Sequence, residues 1–175
     1  YREDEVLGVV AELLKILSYL HTLRPAVIHR DIKPRNVMRR RGDGRLVLVD
    51  FGAVRDAVKD PELGGSTVAG TFGFMAPEQF QGRALPASDI YGLGALAVTL
   101  LTRRTPDTML GLGNQLEWEK HVEAHPHTRR LLARMLTVEP EARASDAEAL
   151  RADVLEVLGK LHESAEEALV PITTP

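Results

Sequence analysis

Between residues 27 and 38 the chain reads VIHRDIKPRNVM, which places His29, Arg30, Asp31, Lys33 and Asn36 within eight positions between apolar residues. Charged and polar groups are costly to bury singly, so a fold that draws the apolar flanks inward must give these side chains partners or water. A solvated turn accounts for two of them and poorly for the whole set. The rest of the chain has to be arranged around this octet.

Upstream, Val6, Leu7, Val10, Leu13, Leu14, Leu17 and Leu20 recur at three- and four-residue steps. That spacing predicts a helix from about 4 to 24 with one buried face, with Asp4 and Glu5 favouring its N-terminal end and Pro25 stopping it. Downstream, NVMRR and LVLVD read as two short strands joined by RGDGR, whose Asp43-Gly44 pair signals a hairpin and makes the RGD at 41–43 a turn. From 52 to 75 no period survives, and a loop that long in a compact domain is usually functional. Helices are expected again at PEQF and at about 86–103, 107–125, 127–138 and 145–162, followed by a frayed tail. The expected fold is mostly α with one small β-hairpin.

Composition narrows the function. The chain is 44% hydrophobic and 27% charged, as in folded globular domains, and its net charge of -3 gives no reason to expect nucleic acid or anionic lipid as the main partner. RRR at 39–41 then reads as a solvated edge. The absence of cysteine excludes disulfides, thiolate nucleophiles and cysteine-ligated zinc, and fits a reducing, cytoplasmic location. The apolar stretch IYGLGALAVTLLT at 90–102 is too short for a membrane span and suits a buried helix. The opening residue is Tyr1 rather than methionine, which leads us to expect a longer protein. His121, His125 and His127 have no second ligand group in the sequence and read as solvated histidines at helix ends.

The octet acquires a meaning from its neighbours. HRDIKPRN at 29–36 resembles the catalytic loop of protein kinases, DFG at 50–52 their metal-binding motif, and APE at 76–78 the end of their activation segment. Three motifs in this order, with strands before DFG and a long loop after it, form a specific signal over nearly the whole chain. The resemblance implies that Asp31 accepts the substrate hydroxyl's proton and that Lys33 steadies the transferred phosphate. It implies that Asn36 and Asp50 offer oxygens to Mg2+ and that ATP is the phosphoryl donor. The alternative for the aspartates alone is a turn residue and a strand-end cap.

The resemblance also assigns supporting roles. His29 and Phe51 would join an internal apolar stack beside Gly52, and Met38 either enters the core or forms the floor of the adenine pocket. Lys33 two positions after the aspartate is the serine/threonine pattern, and Thr71 would hydrogen-bond Asp31 and Lys33. Glu78 and Arg143 resemble a buried ion pair tying the activation segment to later helices, and Asp89 resembles the residue holding the catalytic-loop backbone from below. Arg30 would dock a phosphorylated loop through Ser66 or Thr67, less readily Thr71, if that loop is modified at all. Phe74 and Gly92 depart from the tyrosine and serine common at those places. No glycine-rich G-x-G-x-x-G precedes the octet. Residues 1–162 therefore read as the C-terminal, helical lobe without its N-terminal lobe, with a tail at 163–175. The expected function is a serine/threonine kinase acting on proteins; the alternative is a kinase-like binding module that never catalyses.

Overall fold

Helix α1 occupies Glu3–Thr22, and Val6, Leu7, Val10, Ala11, Leu13, Leu14 and Leu17 form its buried face. Its N-terminus is closed by Glu5, whose carboxylate accepts the Arg2 amide at 2.8 Å. The computed structural model describes residues 1–51, 71–111 and 115–167, with side chains as far as residue 163. After α1 the chain runs without regular structure through the octet to a single 3-10 turn at Pro34–Asn36. Strands β1 (Val37–Arg39) and β2 (Leu46–Leu48) then pair antiparallel with Val37 opposite Leu48 and Arg39 opposite Leu46.

The hairpin is closed where the Asp-Gly pair predicts. The Gly44 amide donates to the Arg40 carbonyl and the Arg40 amide to the Arg45 carbonyl, and Gly44 holds a φ of +71°, a left-handed conformation that glycine adopts without a Cβ penalty. The RGD tripeptide lies in this turn. Met38 is 54% exposed, so its core reading is overturned: in a sheet of two strands its side chain stands on the solvated face.

Helix α2 (Pro77–Phe80) is one short turn, and α3 (Pro86–Thr102) is the centre of the molecule. Every residue of α3 from Ala87 to Val98 is buried, so it is enclosed around its whole circumference and not along one stripe. Its glycines permit that packing. A Cβ on Gly92 would lie 3.3 Å from Ile32 and from the Phe74 carbonyl, and one on Gly94 would lie 3.0 Å from Leu136 and Met135. Helices α4 (Pro126–Met135) and α5 (Ala147–Glu167) complete the core: α1 packs on α3 and α5, and α4 on α3 and α5. Asp146 caps α5 by accepting the Glu148 and Ala149 amides at 2.9 and 3.0 Å. This helix continues past the expected end at 162.

The expected helix over 107–125 is not formed. A 3-10 turn at Pro106–Met109 gives way to a bridge between Leu110 and Leu116 and then to turns. Met109, Leu116, Trp118 and Val122 are nevertheless buried. Arg129 on α4 makes this possible: its guanidinium lies 5.4 Å from the Trp118 ring and donates to the Glu119 and Val122 carbonyls, partners that a helix would have supplied from its own amides. Among the described residues no helix is long and apolar enough to cross a membrane.

Leu150 of α5 is 1% exposed in the core cluster shared with α1. Leu150→Ala should lower unfolding stability by about 2–5 kcal/mol in urea denaturation, through lost transfer energy and the cavity left behind. An unchanged midpoint would contradict the packing.

Candidate active site

Two backbone amides set the octet in place. The buried carboxylate of Asp89, on the first turn of α3, accepts the His29 amide at 2.9 Å and the Arg30 amide at 2.8 Å. His21, at the end of α1, adds a third contact to the same carboxylate at 2.9 Å. Arg30 takes a left-handed backbone with φ of +70°, a conformation costing on the order of 1–3 kcal/mol in a residue with a Cβ. It is held from both sides: its amide goes to Asp89, and its carbonyl accepts Gln79 Nε2 at 2.9 Å.

His29, fully buried, joins the octet to the hairpin. Its Nε2 lies 3.1 Å from the Val49 carbonyl and its Nδ1 accepts the Asp31 amide at 3.4 Å, which assigns the proton to Nε2. The Phe51 ring meets the imidazole edge-on at 4.7 Å. On the strand side, the Val49 amide donates to the Asn36 carbonyl at 2.9 Å. These contacts on Val49 and Phe51 bracket Asp50, whose φ is +65°, and leave it one residue past the Val49–Asn36 backbone bond.

Three side chains converge in front of this frame. Lys33 Nζ lies 2.7 Å from Asp31 Oδ2 and donates to Thr71 Oγ1 at 2.6 Å, while the Thr71 hydroxyl donates to Asp31 Oδ1 at 2.9 Å. Asn36 Nδ2 donates to the Asp31 carboxylate at 3.0 Å and to the Asp31 carbonyl at 2.7 Å. Partial burial raises the Asp31 carboxyl, but hydrogen bonds from Lys33, Thr71 and Asn36, with the lysine charge, outweigh it and hold the group below its ordinary value. Asp31 is therefore an ionised acceptor at neutral pH.

A buried ion pair anchors the segment that follows Thr71. Arg143 Nη1 and Nη2 reach the two Glu78 oxygens at 2.7 and 3.1 Å, and the guanidinium also donates to the carbonyls of Ala87, Thr137 and Val138. Ser88 Oγ donates to Glu78 at 2.6 Å, and the Tyr91 ring lies 5.0 Å from the guanidinium. Burial raises the Glu78 carboxyl, and the Arg143 and Ser88 hydrogen bonds more than reverse this, leaving it below its ordinary value.

The donor set suits a small hard cation. Asn36 has turned its amide nitrogen to Asp31, so its oxygen is the end left for a ligand, and Asp50 brings a carboxylate from the facing strand end. Among the described residues no group of three or more His, Cys, Asp or Glu is placed to hold a metal ion. One amide and one carboxylate match Mg2+, which keeps waters and uses few protein ligands, better than a cation needing a full protein cage. His125 and His127 turn to each other and to Arg130.

Thus Asp31, Lys33, Asn36 and Thr71 meet, Asp50 follows the Val49 whose amide bonds the Asn36 carbonyl, His29 and Phe51 pack together, and Asp89 and the Glu78–Arg143 pair lie behind. Gly52, Ser66 and Thr67 fall outside the described residues. His21, Gln79 and Ser88 were not singled out in the sequence. Gln79 follows APE directly, and a buried polar residue in so short a helix was its one available signal.

Residues 1–155 match the model of the protein kinase domain. Over 182 residues the chain is 37% identical to serine/threonine-protein kinase D of Synechocystis sp., covering 98% of this chain and 34% of that protein. It is 38% identical over 159 residues to serine/threonine-protein kinase B of the same organism, covering 85% and 27%. Serine/threonine-protein kinase PknA of Nostoc sp. is 41% identical over 124 residues, covering 68% and 20%. The chain spans between a fifth and about a third of the length of these curated relatives.

The two depressed carboxyls give acid sensitivity a definite sign. Their ordinary values are 3.8 for Asp31 and 4.5 for Glu78, and both are lowered by folding. Their contribution to stability is therefore whole above about pH 5 and disappears as pH falls through the lowered values. Thermal melts should show a falling midpoint on acidification, and Glu78→Gln should start lower and respond less. A variant with the full pH response of the unaltered chain would contradict the assignment.

Proposed function

This chain belongs to the protein kinase family, and from that premise we propose that it forms the helical, C-terminal lobe of a serine/threonine kinase acting on protein hydroxyls. The observation carrying this reading is the closed triangle of Asp31, Lys33 and Thr71, with sides of 2.6 to 2.9 Å, adjoined by Asn36. A lobe kept only for binding has no use for an ionised carboxylate, an ammonium and an amide so arranged.

Phosphoryl transfer asks the protein mainly to position groups and to neutralise charge. In this reading the Asp31 carboxylate accepts a hydrogen bond from the substrate serine or threonine, orients its oxygen, and takes the proton as the bond to phosphorus forms. A carboxyl held at low pKa is a weak base, which suits a loose transition state in which the proton leaves late. Lys33, already seated between Asp31 and Thr71, places its ammonium where the moving phosphoryl carries negative charge. Thr71 fixes both and links them to the segment ahead of Glu78. Asn36 and Asp50 would hold Mg2+ together with ATP, and the ion supplies charge neutralisation at the phosphates.

The residues through the end of α5 serve as this lobe, working with a nucleotide-clamping lobe that is not among these 175 residues. Arg30 serves to receive a phosphorylated loop residue, Ser66 or Thr67. Met38, exposed on the hairpin, is available to the adenine face.

The test is a phosphorylation assay with ATP, magnesium and a generic protein substrate, using the whole protein that carries this chain. Asp31→Asn should reduce transfer by roughly 10²–10⁴-fold while leaving the unfolding midpoint close to that of the unaltered protein. The 175-residue chain alone should transfer no phosphate at a useful rate. Undiminished transfer by Asp31→Asn would reject the catalytic role, and no transfer by the unaltered protein would favour the non-catalytic module.

A further inference from the structure

A cavity of about 630 Å³ lies between the outward face of α1 and the hairpin turn. Lys15, Ile16 and Tyr19, on one side of the helix by their spacing, face Gly44, Arg45 and Leu46 across it. Leu46 on its wall pairs across the hairpin with Arg39, three residues beyond Asn36. At about 3.3 Å per strand residue that puts this edge of the cavity about 10 Å along the strand from Asn36.

The charges around this groove are uneven. Its wall sets Lys15 and Arg45 against Glu12 and Asp43, and the hairpin beyond the wall adds Arg39, Arg40 and Arg41, within a chain whose net charge is -3. Both carboxylates in the wall are already engaged. Glu12 accepts the Leu46 amide at 3.2 Å, while Asp43 pairs with Arg40, lies 3.4 Å from Arg45 Nε and accepts the Arg45 amide at 3.2 Å. Among the described residues Lys15 and Arg41 have no carboxylate partner, and the Arg45 side chain is 79% exposed. The floor differs in character: Ile16 and Leu46 are half-buried apolar residues, and Tyr19 stands 66% exposed at the rim.

We propose that this groove is a docking surface for an acidic polypeptide segment, one that lays an apolar side chain over Ile16 and Leu46 and sets carboxylates against Lys15 and Arg45. Charge complementarity selects the carboxylates, and the apolar floor with an aromatic rim selects a polypeptide. A nucleic acid strand would leave Ile16 and Leu46 uncovered, and the net acidity of the remaining chain opposes a long polyanion. Resting on the catalytic reading above, the segment belongs to a protein substrate: docking beside the hairpin raises the local concentration of its hydroxyl without occupying the site.

The experiment is fluorescence anisotropy of the whole protein that carries this chain with a short labelled peptide of glutamate and leucine. Its controls are a lysine–leucine peptide, an all-glutamate peptide and an oligothymidylate of equal length. The glutamate–leucine peptide should bind most tightly and weaken with salt. Lys15→Glu combined with Arg45→Glu should weaken it roughly tenfold or more, and Ile16→Ser several-fold, each with an unchanged circular dichroism spectrum. Asp31→Asn should bind it as the unaltered chain does, so a failure of docking and a failure of the catalytic reading are read separately. Equal binding by the double variant, or oligothymidylate binding as tightly as the peptide, would overturn the proposal. So would equal binding of the all-glutamate and glutamate–leucine peptides.

Discussion

The arrangement of this molecule depends on one buried carboxylate. Asp89 is 1% exposed, and an ion so placed forfeits several kcal/mol of hydration unless its surroundings replace the water. They do so with three donors from two distant parts of the chain, His21 at the end of α1 and the amides of His29 and Arg30. The first turn of α3 adds the favourable end of a helix dipole. Because the charge is satisfied only when all three arrive, the central helix, the first helix and the octet are set relative to one another by a single side chain. The left-handed backbone of Arg30, unfavourable by itself, follows from that demand.

The second buried charge works in the same way further along. Glu78 and Arg143 are 65 positions apart, and each would be a costly isolated ion without the other. Arg143 also collects three carbonyls, so one guanidinium joins the start of α3, the end of α4 and the segment that carries Thr71. Asp89 thus positions Asp31 from below, and the Glu78–Arg143 pair positions Thr71 from the side. Lys33 closes the space between them. Mobile surface residues could not hold such a triangle; two buried ion sites can, because every alternative leaves a charge without a partner.

Much of this was legible in the residues. The three- and four-residue recurrence from Val6 to Leu20 located α1, and Asp43-Gly44 located the hairpin, because both signals are local and dictated by backbone geometry. The crowding of charge in the octet pointed to the region where Asp31, Lys33 and Asn36 meet. The segment from 107 to 125 departs from the expected helix because the side chain that stabilises its irregular backbone, Arg129, comes later in the chain, where no local pattern reveals it. His21, Gln79 and Ser88 escaped notice for a related reason: a single polar residue reveals its partner only once the chain has folded. Met38 was ambiguous by type, since methionine fits a core or a surface, and only the two-stranded sheet decides that it is exposed.

The claim that Asp89 organises the octet is tested most directly by hydrogen exchange at the His29 and Arg30 amides, compared between the unaltered chain and Asp89→Asn. An asparagine keeps one acceptor oxygen and turns a donor toward the other amide, so at least one of the two bonds is lost. With a hydrogen bond to a charged group contributing about 1.5–3 kcal/mol, exchange at one or both amides should accelerate roughly ten- to hundredfold, while the amides in the middle of α3 keep their protection. Unchanged protection of His29 and Arg30 in Asp89→Asn would contradict the account, because the loop would then be held in place by something other than this carboxylate.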